Sequence, residues 1–249
     1  MIKYSINLIL KFFNLKIQRF CTFKNPNLVI INFKRNKIIK IKFGKNRNFF
    51  IKNEINGFKW YYKKTKSINS IKPYKFFFFS GLEVQIIEGK KISYFSRFSE
   101  NLVHIQNFIK YYDKIWTKNN KQLPAHGDLT FDNIIITNKS FEIIDWEFFK
   151  KRGEDYCFDL VYFFLSTIIL PSFKYNGLNK KELRSIIKIW KILKKKIKNK
   201  KLKQKPIQFY KGKFKKDIHW FKISSTYPEK FFLEKLDKSK LIYFETILK

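Results

Sequence analysis

Cysteine and methionine are scarce in this chain of 249 residues, which holds 2 cysteines and 1 methionine. Cys21 and Cys157 stand far apart and follow neither the spacing of a metal knuckle nor that of a disulfide framework. Small secreted domains usually depend on such frameworks, so the composition argues against that class. It predicts a cytoplasmic protein kept in reducing surroundings.

Long apolar runs are also lacking. The longest, Leu160–Leu170, is interrupted by Ser166 and Thr167 and is shorter than the roughly 20 residues that a membrane-spanning helix needs. It predicts a buried helix that follows Asp159. The stretch 1–20 has three lysines among its apolar residues, so it lacks the uninterrupted apolar region of a signal peptide. It predicts an amphipathic helix that packs on its own domain.

Glycine is sparse as well, with 8 residues. No G-x-x-x-x-G-K-[ST] segment occurs, which excludes a P-loop nucleotide-binding protein.

Acidic residues number 19 against 54 lysines and arginines, so the net charge is +35. The excess is densest in residues 174–216, where apolar residues at helical spacing predict an amphipathic helix with a basic outer face. Its candidate partners are an anionic membrane surface or an anionic substrate, with nucleic acid ranked last. The alternative is a solvated lysine face that reflects the general over-use of lysine. The apolar positions are Leu183, Ile186, Ile187, Trp190, Leu193 and Ile197.

The most informative stretch that is present is HGDLTFDNIIITNKSFEIIDWE, residues 126–147. Two short apolar strands around a turn predict a hairpin, which brings Asn133 before the first strand close to Asp145 after the second. An amide oxygen beside a carboxylate is the kind of oxygen site that Mg²⁺ takes together with phosphate oxygens. Asp128, on the polar loop upstream, is a candidate proton acceptor for an attacking hydroxyl.

The order of these elements resembles the catalytic core of the aminoglycoside phosphotransferase and choline kinase families, small-molecule relatives of the protein kinases. The Asp-to-Asn spacing also equals that of the protein-kinase catalytic loop. The resemblance covers roughly residues 121–165. The matching residues are His126, Gly127, Asp128, Asn133, Ile144, Asp145, Trp146, Glu147, Gly153, Asp155, Asp159 and Leu160.

The resemblance implies an α+β, two-lobed, protein-kinase-like fold with ATP and Mg²⁺ as cofactors. A small β-rich nucleotide-binding lobe would span residues 1–89, and a larger, mostly helical lobe for catalysis and acceptor binding would span residues 90–249. Roles follow position by position from the families' motifs. Asp128 is implied as the catalytic residue, Asn133 and Asp145 as metal ligands, and His126 and Asp159 as structural supports of the catalytic loop.

The proposed small lobe supplies further candidates for nucleotide binding. Residues 28–33 and 37–43 predict a hairpin whose second strand carries Lys40, at the position of the families' phosphate-binding lysine. Lys42 lies on the same strand face, so it stays an alternative. A predicted helix over residues 50–63 carries Glu54, which is either the partner of the lysine or a solvent-exposed helix residue.

Two further segments lie where the families bind the adenine ring and the phosphates of the nucleotide. Residues 82–90 predict a strand ending at Glu88, and they resemble the linker that receives the adenine ring through backbone hydrogen bonds. Kinases usually cover the phosphates with a glycine-rich loop, yet residues 23–28 contain no glycine. The sequence therefore departs from the family pattern at the nucleotide clamp.

Together these features favour a kinase that transfers the γ-phosphate of ATP to a hydroxyl of a small molecule. Sugars, lipid or polysaccharide precursors and choline-like alcohols are the candidate acceptors, and the strong positive charge favours anionic ones over polycations. The protein is expected in the cytoplasm, either free or peripheral to a membrane. The alternative is a pseudokinase-like binding module that places its basic face on an anionic membrane or nucleic acid.

Overall fold

The structure is a computed structural model with an α+β fold that divides into two compact units, Met1–Glu88 and Gly89–Lys249. The assignment of nucleotide-binding and acceptor-binding roles to residues 1–89 and 90–249 stays a prediction. Cys21 and most of the glycine-free segment 23–28 lie outside the described residues. The structure describes residues 11, 14–19, 27–44, 46–67, 69–76, 79–116, 123–138, 140–175, 177–216 and 236–249.

A five-stranded antiparallel sheet forms the first unit, with the strand order β1-β2-β3-β5-β4. The predicted hairpin is confirmed, because β2 and β3 pair antiparallel with Val29 opposite Lys40. The strands are β1 (Leu15–Arg19), β2 (Asn27–Asn32), β3 (Lys37–Lys42), β4 (Ile71–Phe76) and β5 (Phe79–Gln85).

Neither of the two edge strands of this sheet, β1 and β4, is predicted from the sequence. The predicted helix over residues 1–20 is wrong for Leu15–Arg19, which pairs with β2 as a strand. Its apolar and polar residues alternate, and Ile17 is buried, so pairing with β2 decides its conformation. At the other edge, β4 carries Pro73, which an edge strand tolerates because a proline nitrogen cannot donate to a neighbour.

One helix, α1 (Arg47–Thr65), accompanies the sheet and confirms the helix predicted over residues 50–63. Its buried residues include Phe50, Glu54 and Phe58, which lie four positions apart on one face. The helix ends where Lys66 adopts a left-handed backbone and donates its N–H to the carbonyl of Tyr62.

The predicted strand over residues 82–90 is too long. β5 ends at Gln85, and Glu88 is exposed in the irregular segment that follows. Strand pairing stops there because β3, the neighbour of β5, begins at Lys37, which lies opposite Gln85.

The second unit combines short strands with six helices among the described residues. The hairpin predicted from residues 134–136 and 141–144 is confirmed as β8 and β9, with Ile134 opposite Ile143. The strands are β6 (Lys90–Lys91), β7 (Leu123–Ala125), β8 (Ile134–Ile136), β9 (Phe141–Ile143) and β10 (Lys150–Glu154). The helices are α2 (Leu102–Ile115), α3 (Phe158–Ile169), α4 (Lys180–Lys196), α5 (Lys200–Gln204), α6 (Pro206–Lys216) and α7 (Lys238–Ile247).

Helix α3 forms the centre of this unit and confirms the buried helix predicted after Asp159, since every one of its residues is buried. The predicted amphipathic helix is confirmed as α4, which begins with a capping box between Asn179 and Glu182. Among the described residues, no helix is both long and apolar enough to cross a membrane.

Candidate functional site

In the first unit, two lysines converge on one buried glutamate. The Lys40 Nζ lies 3.1 Å and 3.2 Å from the two carboxylate oxygens of Glu54, and the Lys42 Nζ lies 3.4 Å from Oε2. Both lysines reach it because alternate residues of β3 share one face. Glu54 is buried on α1, so the alternative of a solvent-exposed helix glutamate is wrong.

The two lysines differ in exposure. The side chain of Lys40 is 13% exposed, whereas that of Lys42 is 2% exposed and lies over the Phe50 ring at 5.8 Å. Lys40 is therefore the more accessible of the two to a ligand. The second contact to Glu54 was not anticipated from the sequence, although the two-residue spacing on one strand is the signal for it.

Glycine at position 81 allows the backbone of β3 to lie close to β5. A Cβ atom added to Gly81 would stand 2.2 Å from the carbonyl oxygen of Lys40. The position of Lys40 therefore depends on a neighbour without a side chain. Glu88 lies exposed after β5, and within the described residues it makes no ion pair with either lysine.

In the second unit, His126 connects two parts of the chain. It is fully buried, and its Nε2 lies 2.9 Å from the Ile144 carbonyl while its Nδ1 lies 3.2 Å from the backbone nitrogen of Asp128. A carbonyl oxygen can only accept and a backbone N–H can only donate, so Nε2 carries the proton and Nδ1 accepts. The imidazole is therefore neutral in this arrangement, and it holds the loop against the end of β9.

Asp159 holds the same loop from the first turn of α3. Its carboxylate accepts the backbone N–H of His126 at 2.6 Å and that of Gly127 at 3.0 Å. Both bonds are buried and charge-assisted, which makes them stronger than bonds between neutral groups. Asp159 also raises the pKa of Tyr112, after the larger effect of burial on that phenol.

Asn133 and Asp128 lie in contact at the other end of the loop, and both are buried. The Asn133 amide nitrogen donates to the backbone carbonyl of Asp128 at 2.6 Å and lies 3.3 Å from its Oδ2. Since the nitrogen is used for these contacts, the amide oxygen is the atom of Asn133 suited to a cation. The loop also contains a short 3-10 helix, Phe131–Asn133.

The hairpin delivers Asp145 to the end of β9 next to Asn133. The Ile144 backbone nitrogen donates to the Asn133 carbonyl at 2.9 Å, which joins the two ends. Asp145 has a left-handed backbone, φ 64° and ψ 53°, a conformation that costs energy for residues other than glycine. It precedes the 3-10 helix Trp146–Phe148, and its side chain makes no capping hydrogen bond to that helix.

The remaining acidic residues of the family-like segment have other surroundings. Glu147 is buried directly after Asp145 and Trp146. Asp155 accepts a hydrogen bond from the Asn199 amide at 2.7 Å, which ties the start of α3 to the start of α5. Its role is therefore structural.

Comparisons with known proteins do not assign the chain to a family: no protein-family model matches it, and no curated protein sequence does. The case for a function therefore rests on the residues and contacts of the two clusters, Lys40–Lys42–Glu54 and His126–Asp128–Asn133–Asp145–Asp159.

Proposed function

We propose that this protein is an ATP- and Mg²⁺-dependent phosphotransferase with a protein-kinase-like fold. It moves the γ-phosphate of ATP to a hydroxyl group of a small molecule. The observation that carries the proposal is the loop around Asp128. Asp159 holds the loop through two buried hydrogen bonds, and Asn133 contacts Asp128 directly.

Asn133 and Asp145 are the residues that would hold Mg²⁺. The Asn133 nitrogen is used for Asp128, which leaves its oxygen as a ligand atom, and Asp145 follows a strand joined to Asn133 by a backbone hydrogen bond. Oxygen ligands of this kind suit Mg²⁺ together with phosphate oxygens. The metal would supply charge neutralisation on the transferred phosphate.

Asp128 would act on the acceptor. In the transfer, a hydroxyl oxygen of the acceptor forms a bond to the γ-phosphorus, the bond to the ADP oxygen breaks, and the hydroxyl proton passes to the Asp128 carboxylate. His126 and Asp159 position Asp128 and do not touch the reacting atoms.

Lys40 and Glu54 would serve the nucleotide. An ammonium group held by a buried carboxylate is already oriented, so binding of the α- and β-phosphates costs little side-chain entropy. Lys42 steadies the same glutamate. The segment ending at Glu88 would offer backbone groups to the adenine ring.

The acceptor class follows from charge. A net charge of +35 attracts anionic compounds and repels polycations, so a sugar, a lipid or a polysaccharide precursor with anionic groups fits better than an aminoglycoside. A choline-like alcohol remains compatible because aromatic rings can hold an ammonium group. The proposed location is the cytoplasm.

Mg-ATP binding and turnover test the proposal in the purified chain. We expect calorimetry to detect Mg-ATP binding, and we expect slow release of labelled phosphate with water as acceptor. Asp128→Asn should keep nucleotide binding but lower turnover by about 10²–10⁴-fold, the usual contribution of a general base. Asp132→Asn is a matched control, because Asp132 is an exposed carboxylate on the same loop and should leave turnover unchanged.

Two outcomes would contradict the proposal or part of it. If Asp128→Asn retains full turnover, the role of Asp128 is wrong. If the chain does not bind Mg-ATP, the phosphotransferase proposal itself is wrong, and the alternative of a non-catalytic binding module is favoured by the basic outer face of α4.

A further inference from the structure

The outer face of α4 carries an unbroken line of positive charge. Five basic residues follow one another at alternating intervals of three and four, which places them on one side of an α-helix. All five are exposed. We call this set the basic stripe: Lys181, Arg184, Lys188, Lys191 and Lys195. At about 1.5 Å per residue, the stripe is roughly 21 Å long.

The opposite face of α4 fixes the direction of the basic stripe. Ile186, Trp190 and Leu193 are buried, and the Trp190 ring stacks on Phe164 of α3 with 5.9 Å between centroids. The indole N–H of Trp190 donates to the Leu248 carbonyl at 2.6 Å. The helix therefore cannot rotate its cations toward the core without breaking these contacts.

Acidic groups do not offset the basic stripe. Glu182, the only acid on α4, is buried, and it accepts hydrogen bonds from the backbone of Asn179 and from Ser99. Within the described part of the chain, none of the five stripe residues makes an ion pair. Like charges at this spacing weaken a helix, so an anionic partner would stabilise it.

The positive surface continues beyond the helix. A cavity of about 490 Å³ at the C-terminal end of α4 is lined by Lys194, Lys200, Lys203, Gln204 and Lys249. Four of its five lining residues are lysines, so it offers ammonium groups to an anion such as a phosphate.

We propose that the basic stripe and this cavity form a docking surface for anionic lipid headgroups, by which the protein adsorbs to a negatively charged membrane surface. A straight line of cationic groups on an anchored helix fits a planar array of negative charge. Ile192, 48% exposed beside the stripe, can enter the headgroup region, whereas it would gain nothing from nucleic-acid phosphates. Four of the five stripe residues are lysines, which act as point charges, and the stripe has no aromatic ring for stacking bases.

Vesicle co-sedimentation tests the surface without nucleotide, so it is independent of the proposed transferase activity. The probes are vesicles of phosphatidylcholine alone and vesicles that also contain phosphatidylglycerol. We expect binding only to the anionic vesicles and a steep decrease with salt. Each lysine near such a surface contributes roughly a fivefold gain in affinity, so Lys188→Gln/Lys191→Gln/Lys195→Gln should weaken binding about a hundredfold.

A matched triple variant controls for the general excess of lysine. Lys52→Gln/Lys59→Gln/Lys63→Gln removes the same charge from exposed positions of α1 and should weaken binding less than tenfold. Equal losses in the two triples would overturn the proposal, as would an absence of binding to anionic vesicles. Stripe-dependent binding of duplex DNA or RNA that is at least as tight at the same salt would also overturn it, and it would identify nucleic acid as the partner.

Discussion

Replacing Asp159 by asparagine should loosen the loop that carries Asp128. The carboxylate accepts two buried backbone N–H groups, from His126 and Gly127, but an asparagine side chain offers only one acceptor oxygen. One N–H is then left facing an amide N–H. A buried donor without an acceptor costs about 1–3 kcal/mol, and the remaining bond loses about 1 kcal/mol because its acceptor is no longer charged. We expect a total destabilisation of about 2–4 kcal/mol.

Two measurements check this value. Urea unfolding followed by tryptophan fluorescence reports mainly on the second unit, where Trp116, Trp146 and Trp190 are buried, whereas α1 of the first unit carries Trp60. Hydrogen exchange reports on the backbone N–H groups of His126 and Gly127, whose protection should fall most. Asp237→Asn is the control, because Asp237 caps α7 in solvent and asparagine caps helices as well as aspartate does. A loss below about 0.5 kcal/mol, with both amides still protected, would refute the bracing role of Asp159.

Three further predictions concern stability. Burial raises the pKa of Glu245 above its usual value of 4.5. The protonated side chain therefore adds to the free energy of unfolding at low pH, and this stabilisation is lost as the pH rises through the raised pKa. Glu245→Gln should remove this part of the pH dependence of unfolding. Gly81→Ala should destabilise the first unit by about 1–3 kcal/mol or more, because its Cβ would meet the Lys40 carbonyl. Gly212→Ala should stabilise the chain by about 0.5–1 kcal/mol, because the added methyl group meets open space on α6.

Urea unfolding followed by circular dichroism, which reports on both units, separates these outcomes. Pairing Gly81→Ala with Gly212→Ala compares one chemical change at a crowded site and at an open one. Equal effects of the two would contradict the close approach of β3 and β5. A pH profile of Glu245→Gln that still parallels that of the unaltered chain would show that the burial of Glu245 does not shift its titration.

Local patterns were sufficient to predict the elements whose partners lie close in sequence. The β8–β9 hairpin follows from two short β-branched runs around a turn, and α4 follows from apolar residues at helical spacing. The β1 strand is not predicted, because residues 1–20 indicate one amphipathic helix. Its alternating segment Leu15–Arg19 becomes a strand through pairing with β2, a contact that no local pattern contains.

The contacts of the candidate site likewise differ in whether a local sequence pattern predicts them. The hairpin alone is enough to predict that Asn133 lies close to Asp145, because a hairpin brings its two ends together. The contact between Asp159 and His126 crosses 33 residues, and no periodicity predicts it; only the family resemblance implied a bracing role. The contact of Lys42 with Glu54 depends on how α1 packs on the sheet, which composition and spacing do not determine.

The way α4 is held over α3 has a consequence for synthesis on the ribosome. Phe164 of α3 stacks on Trp190, and the Trp190 indole donates to the carbonyl of Leu248, so the side chain that covers the central helix is itself held by a residue made much later. Until that residue leaves the exit tunnel, Trp190 lacks this hydrogen bond, and α4 is held less firmly over the wholly buried α3. We therefore expect the nascent chain to bind chaperones that recognise apolar segments until residue 248 has emerged.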